Sequence, residues 1–244
     1  MPRASTGGDP AARVAKMRRW PARGPWSTVT AMSSASRTGV QVAAEHYSFE
    51  RYDDRWRWFS YWYQIREALR LAPRRVLEIG CGTGVFRSYL REQGIPVLSA
   101  DLDESRQPDF LCDVSTLDAA LPPGERFDVV AAFQVLEHLP FEMLPASLEG
   151  LARRAAPHAL VSLPAHSFRL NLHLRLGGVH LSVGGRLPKP WPHRFDGQHH
   201  WELGCRHSVG QVTRLMEKYF EVVNRYAIPE NPYHHMWILK SRLA

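Results

Sequence analysis

Cysteine and long apolar runs are scarce in this sequence, and each shortage excludes a class of protein. The three cysteines, Cys81, Cys112 and Cys205, are odd in number and far apart. They argue against a disulfide framework and favour a reducing compartment. No apolar run approaches the ~20 residues that a membrane span needs, and no secretory signal precedes the domain pattern. We therefore expect a cytoplasmic protein without a membrane segment.

Acidic residues are almost absent from the first 40 positions. Residues 1–40 hold seven Lys and Arg against one Asp, a charge of +6 out of the net +7 of the chain. The net charge of residues 41–244 is therefore close to zero, which argues against a nucleic-acid partner. We interpret residues 1–40 as a basic extension to a domain at 41–244. An organelle transit peptide, a disordered arm and a true translation start at Met17 or Met32 all agree with its composition.

From about residue 45, strand patterns alternate with helical ones, which predicts an α/β fold with a parallel sheet and right-handed crossovers. The expected strands are, in order, RVLEIG, PVLSADLD, PDFLCDV, FDVVAAF and ALVSLP, followed by two closing strands, FEVVNRYAI and HHMWILK. Helices are expected at VFRSYLREQG, from Phe141 to Ala156 and near Ser208–Tyr219. An aromatic helix before the first strand is expected to pack Trp58, Trp62, Ile65 and Leu69 against the sheet.

Glycine, proline and histidine interrupt this pattern from Ala165 to His207. The stretch has no clean period and is too long for an ordinary connection, so we interpret it as a lid or substrate insertion. It contains HRFDGQHHWELG, from His193 to Gly204, whose chemistry depends on what surrounds it. We expect Trp201 to be an anchor in the core.

A glycine-rich turn follows the first predicted strand in VLEIGCGTG. Glycines at 80, 82 and 84 allow a tight turn and a close approach to a ligand at the next helix N-terminus. Asp101, about 20 residues downstream, is placed to accept hydrogen bonds from the ribose of an adenosine cofactor. Glu78 would repel a pyrophosphate but attract a cofactor that carries an ammonium and a sulfonium. A dinucleotide cofactor is therefore disfavoured.

With ADLD, CDV and FDVVAAFQVLEHLP, this turn resembles the class I S-adenosylmethionine-dependent methyltransferases over residues 45–244. The resemblance implies a Rossmann-like, mostly parallel seven-stranded sheet whose last strand is antiparallel, with helices on both faces. A lid insertion at about 165–207 would separate strands five and six. It also implies S-adenosyl-L-methionine as the cofactor and a methyltransferase activity.

The resemblance also carries over a set of cofactor-binding residues. Those expected at the methionine part are Glu78, Gly80, Cys81, Gly82 and Gly84. Those expected further along the cofactor are Asp101 and Leu102 at the ribose, Asp113 and Val114 at the adenine, and Gln134 at the methyl-donor pocket.

Four other segments resemble a bacterial and archaeal subgroup of methyltransferases whose substrate is uncertain. These segments are Arg57 to Ile65, Val135 to Glu142, Phe195 to Gly204 and Glu230 to His234. Many members of this subgroup accompany sugar-polymer genes. We expect a small-molecule or sugar acceptor, with oxygen as the acceptor atom.

Methyl transfer to a hydroxyl needs a base that removes its proton. His138 follows strand four and His199 lies in the lid, so either is a candidate base, with Glu137 or Glu202 orienting it. Plant-type small-RNA 2′-O-methyltransferases bind a divalent ion through Glu-x-x-Glu-His at this position. Here Gln134 replaces the first carboxylate, and an amide is a poorer ligand for a hard cation. We therefore expect no metal.

Two other functions stay open. One is an RNA 2′-O-methyltransferase that uses a divalent metal, and the other is a catalytically inactive, cofactor-binding partner subunit. The sequence does not indicate an oligomeric state.

Overall fold

The computed structural model describes residue 49 and residues 52–244, without some side chains between residues 169 and 184. The predictions for residues 1–40 lie outside the described residues. No helix in the described part of the chain is long and apolar enough to cross a membrane.

Nine strands and five α-helices form the described domain. The strands are β1 (Val76–Ile79), β2 (Val97–Asp101), β3 (Phe110–Leu111), β4 (Phe127–Phe133), β5 (Ala155–Pro164), β6 (Ser167–Leu176), β7 (Val179–Pro188), β8 (Phe220–Ala227) and β9 (His234–Ser241). The helices are α1 (Arg55–Arg70), α2 (Val85–Glu92), α3 (Leu117–Ala120), α4 (Leu144–Arg154) and α5 (Val209–Met216).

Seven of these strands form one sheet in the order β3-β2-β1-β4-β5-β9-β8. The first five pair in parallel, whereas β9 is antiparallel to both β5 and β8. This confirms the predicted seven-stranded sheet with its antiparallel last strand. The central strands β1 and β4 are almost fully buried, as expected for parallel strands that helices cover on both faces.

Two apolar clusters cover the two faces of the sheet. One joins β1 and β4 to α4 and α5 through buried residues such as Leu148 and Val212. The other joins the opposite face to α1 and α2 through Ala68, Phe86 and Leu90. Because the parallel strands β1, β2 and β4 end at the same edge, the loops that follow them converge there.

The predicted packing face of α1 is wrong for its two tryptophans, although Ile65 packs against the core as expected. Trp58 and Trp62 are 45% and 56% exposed, and the buried face instead carries Tyr61, Gln64 and Glu67. Hydrogen bonds explain this rotation, since Tyr61 donates to Asp53 and Glu67 accepts from Tyr226. Polar partners inside the fold therefore determine which face of the helix is buried.

The prediction that residues 165–207 lack regular structure is also wrong. Strands β6 and β7 pair as an antiparallel hairpin outside the main sheet. Along β6, leucines at every second position point to the same face, as the two-residue period of a strand requires. Leu172 and Leu174 are opposite Val183 and Leu181, and all four are about half exposed. This alternation is present in the sequence, where the many glycines and histidines obscure it.

Candidate functional site

A cleft of about 320 Å³ lies at the carboxyl ends of β1, β2 and β4. Nine of the residues predicted from the sequence line it: Gly80, Gly82, Asp101, Leu102, Asp113, Val114, Gln134, His138 and His199. The structure therefore brings the glycine turn, the predicted ribose and adenine residues and two histidines to one place.

The glycine turn is held close to the loop after β4. Gly80 has a φ of +73°, and a Cβ at this position would lie 2.4 Å from Cγ2 of Val135. Tyr61 of α1 lies 3.3 Å from the Thr83 hydroxyl and donates to Asp53, which connects the turn to α1. These contacts fix the turn at the floor of the cleft.

Three polar side chains follow β2, β3 and β4 at the edge of the cleft. Asp101 accepts hydrogen bonds from the backbone N–H groups of Cys81 and Asp103, at 2.7 and 2.9 Å. A carboxylate has further lone pairs, so Asp101 can also accept from hydroxyls in the cleft. Asp113 Oδ1 accepts from the backbone N–H and the hydroxyl of Ser115. Gln134 has a φ of +58°, a conformation that costs energy and is common at functional sites.

Five predicted residues lie outside the lining of this cleft: Glu78, Cys81, Gly84, Glu137 and Glu202. Glu78 is 4% exposed, and burial raises the pKa of its carboxyl to about 8, although Arg87 and Arg91 oppose this shift. Cys81 donates its backbone N–H to Asp101, and Gly84 caps α2 with a φ of +80°. Cys81 and Gly84 therefore belong to the turn itself, and Glu78 is buried in β1 just before it.

Other lining residues were not predicted from the sequence. Tyr52 precedes α1, and Arg57 lies in its first turn. The Arg57 guanidinium stacks 3.8 Å from the centre of the Tyr52 ring. Arg106 follows β2, and Tyr233 precedes β9. The signal available for Tyr52 was the aromatic segment before the first strand, and the signal for Tyr233 was the segment from Glu230 to His234.

His199 and Glu202 form a hydrogen-bonded pair at the rim of the cleft. The Nδ1 atom of His199 lies 2.9 Å from Oε1 of Glu202, and the Tyr233 hydroxyl donates to the same oxygen at 2.6 Å. Burial lowers the pKa of His199, but Glu202, Glu137 and Asp196 together outweigh it, so the net shift of the pKa is upward. Since Nδ1 donates to the carboxylate, Nε2 of the neutral ring is the basic atom.

His138 and Glu137 have a different arrangement. His138 Nδ1 lies 3.0 Å from the carbonyl oxygen of Gln198, and burial, with the nearby His199, lowers the pKa of His138 to about 4. Glu137 is fully buried, with no hydrogen bond from another described residue to its carboxylate oxygens, and burial raises the pKa of its carboxyl to about 7. His138 is thus a much weaker base than His199.

The lid segment that carries His199 is fixed to the loop after β4. The backbone N–H of His200 donates to the Glu137 carbonyl at 2.9 Å, and the Trp201 indole N–H donates to the Leu139 carbonyl at 3.1 Å. Trp201 is 2% exposed in the apolar core, which confirms the predicted anchor. The rigid anchor holds His199 at the rim.

This fold, with a glycine turn after β1 and acids after β2 and β3, defines a class I S-adenosylmethionine-dependent methyltransferase. Residues 45–223 match the methyltransferase domain family, and the chain belongs to that family. Membership in the predicted class of methyltransferase is thereby confirmed, and S-adenosyl-L-methionine is the cofactor of this class.

Named relatives include the ubiquinone biosynthesis O-methyltransferases of two bacteria. The protein from Bradyrhizobium diazoefficiens is 25% identical over 191 residues, which are 72% of this chain and 70% of that protein. The one from Azotobacter vinelandii is 33% identical over 89 residues, which are 31% of this chain and 38% of that protein. The chain thus spans well under two thirds of the length of the second relative.

One solved structure shows the same fold, and a second aligns less closely. An S-adenosylmethionine-dependent methyltransferase from Clostridium acetobutylicum aligns with a TM-score of 0.51 at 10% identity, over 81% of this chain and 96% of that chain. The glycopeptide N-methyltransferase MtfA with S-adenosyl-L-homocysteine aligns with a TM-score of 0.49 at 18% identity, over 73% and 88% of the two chains.

Proposed function

We propose that the protein transfers a methyl group from S-adenosyl-L-methionine to a hydroxyl oxygen of a small-molecule or sugar acceptor, with His199 as the general base. The observation that carries this proposal is the His199–Glu202 pair at the rim of the cleft. The relatives named as O-methyltransferases support an oxygen acceptor.

The residues of the cleft suit the cofactor chemically. Asp101 is the acceptor for ribose hydroxyls and Asp113 for the adenine amino group, with Val114 beside it, while Gly80 and Gly82 admit the methionine part. These groups lie along one cleft whose acids complement the positive charge of the cofactor. S-adenosyl-L-methionine supplies a methyl carbon that its sulfonium already activates.

The protein contributes alignment and removal of a proton. The Glu202 carboxylate and the Tyr233 hydroxyl hold the His199 ring, so that Nε2 can accept the hydroxyl proton of the acceptor as the new O–C bond forms. The imidazolium that results is stabilised by Glu202. His138, at 5.0 Å between ring centroids, is a neutral neighbour that lines the acceptor side.

Exchange of His199 for asparagine tests the base directly. We expect His199→Asn to lower the rate of labelled methyl transfer to phenolic and sugar acceptors by roughly 10²–10⁴-fold. Calorimetric affinity for S-adenosyl-L-homocysteine should change little, because the ring is at the rim. The matched control is His200→Asn, since His200 contacts Phe195 rather than the cleft. Unchanged transfer by His199→Asn would contradict the assignment.

Two further measurements, of copurification and of RNA binding, distinguish the two alternatives. An inactive partner subunit would bind S-adenosyl-L-homocysteine, transfer no methyl group alone and copurify with an active methyltransferase. An RNA enzyme would show RNA binding that weakens steeply with salt, because phosphate contacts release counterions.

A further inference from the structure

A second cleft, of about 560 Å³, opens on the other side of Glu202. Here His166, His193 and Glu202 converge, with one ligand atom of each within 4.8 Å of the others. Nδ1 of His166 and Nδ1 of His193 lie 3.7 and 3.9 Å from Oε2 of Glu202. We propose that these three residues bind a divalent transition-metal ion of the zinc class, with a fourth position open to the cleft.

The two oxygens of Glu202 have different surroundings. Oε1 receives the hydrogen bonds from His199 and Tyr233, whereas Oε2 faces the two imidazole nitrogens at distances too long for hydrogen bonds. The side chain is 6% exposed. A carboxylate oxygen of a mostly buried side chain that faces two ring nitrogens is a ready position for a cation.

The tautomer of His193 supports the same assignment. Its Nε2 lies 3.0 Å from the His199 carbonyl oxygen, which can only accept, so Nε2 carries the proton. In the neutral ring, Nδ1 therefore carries a lone pair and lies 3.9 Å from Oε2, and two acceptors this close repel each other. Histidines that bind metals commonly donate their other N–H to a carbonyl in this way.

His166 is held in place by the backbone rather than by its ring. Its backbone N–H donates to the Leu203 carbonyl at 2.7 Å, and its backbone carbonyl accepts from the backbone N–H of Lys189 at 3.2 Å. The buried Nε2 atom has no hydrogen-bond partner among the described residues. Coordination through the other ring nitrogen, Nδ1, would give this imidazole a polar bond and would place its proton on Nε2.

The ligand set indicates the class of ion. Two imidazoles and one carboxylate, with an open position, are the protein ligands of many zinc sites, whereas calcium and magnesium prefer sets of oxygen ligands. Lys189 and Arg194 line the same cleft, so an anionic oxygen of a ligand would be favoured at the open position. This inference revises the expectation of no metal and does not depend on the proposed base.

Metal binding by the full chain tests the proposal. After dialysis against a chelator, calorimetry with Zn²⁺ should show about one ion per chain, and Co²⁺ should give the visible absorption of a four-coordinate site. His166→Asn and His193→Asn should each weaken Zn²⁺ binding beyond the roughly 10–100-fold cost of losing an outer-shell partner. His200→Asn is the control and should bind Zn²⁺ like the wild type.

Affinity for S-adenosyl-L-homocysteine checks that each variant is folded. Absence of Zn²⁺ binding by the wild type, or equal binding by a folded His193→Asn variant, would overturn the proposal. So would Zn²⁺ binding that His138→Asn abolishes and His193→Asn leaves intact, because Glu137, His138 and His199 form a neighbouring group of possible ligands.

Discussion

Gly80 occupies a backbone position that leaves no room for a side chain. We expect Gly80→Ala to lower the free energy of unfolding by about 1–3 kcal/mol, because alanine is strained at a positive φ and its Cβ would overlap Val135. Urea unfolding measures the loss. The matched control is Gly94→Ala, which has a φ of +77° but no atom within 4 Å of the added Cβ.

The difference between these two variants isolates the contact with Val135. It should shrink when Val135→Ala is added to Gly80→Ala, since the clashing Cγ2 atom is then absent. Equal losses in Gly80→Ala and Gly94→Ala would show that conformational strain alone makes glycine necessary at position 80.

The residues of the site differ in how well their sequence neighbours reveal them. The glycines and Asp101 were predictable because short-range geometry dictates them: a tight turn needs glycine, and a strand end fixes the acid. Tyr233 and His193 were not, because their contacts with Glu202 cross 31 and 9 residues and depend on the folded lid. A sequence pattern does not show how close such residues lie in the folded chain.

We expect the apolar face of the β6–β7 hairpin to contribute little to the stability of the described domain. We expect Leu172→Thr and Leu174→Thr to change the free energy of unfolding by less than about 0.5 kcal/mol, because both leucines are about half exposed and threonine suits a strand. Leu148→Ala, a change at a fully buried position of α4, should cost roughly 2–5 kcal/mol. Chemical denaturation compares the three variants.

A loss at Leu172 as large as that at Leu148 would mean that this face is covered in solution. The hairpin also shows why the prediction failed for this element. Strand periodicity usually reports a face buried in the core, but this hairpin lies outside the main sheet. The predicted packing face of helix α1 was wrong for a different reason. Its polar residues have hydrogen-bond partners inside the fold, and its tryptophans remain partly exposed.

At the scale of the whole molecule, the sheet was predictable because each parallel strand is an apolar run separated by a helix. The way the stability of the fold changes with pH depends on which titratable side chains are buried, and the sequence does not show this. Burial, helped by Arg186 and Arg225, lowers the pKa of His235 to about 3, whereas burial raises that of Glu78 to about 8. These two groups affect stability in opposite directions as the pH changes.

His235 should make the fold less stable as the pH falls. Above about 6.5, the usual pKa of histidine, the ring is neutral in both the folded and the unfolded chain and has no effect. Between about 6.5 and 3, the unfolded chain binds a proton that the native state does not, so stability falls by up to about 1.4 kcal/mol per pH unit. Glu78 opposes this loss down to its unfolded pKa, near 4.5.

The variant His235→Asn separates the two contributions, because asparagine can still accept the hydrogen bond from Arg186 but does not titrate. Urea unfolding of both proteins at about pH 7, 6 and 5 should show the stability of the variant rising relative to the wild type as the pH falls. If the difference between the two proteins stays constant over this range, His235 binds its proton equally in the folded and unfolded chains, and the burial that lowers its pKa does not operate in solution.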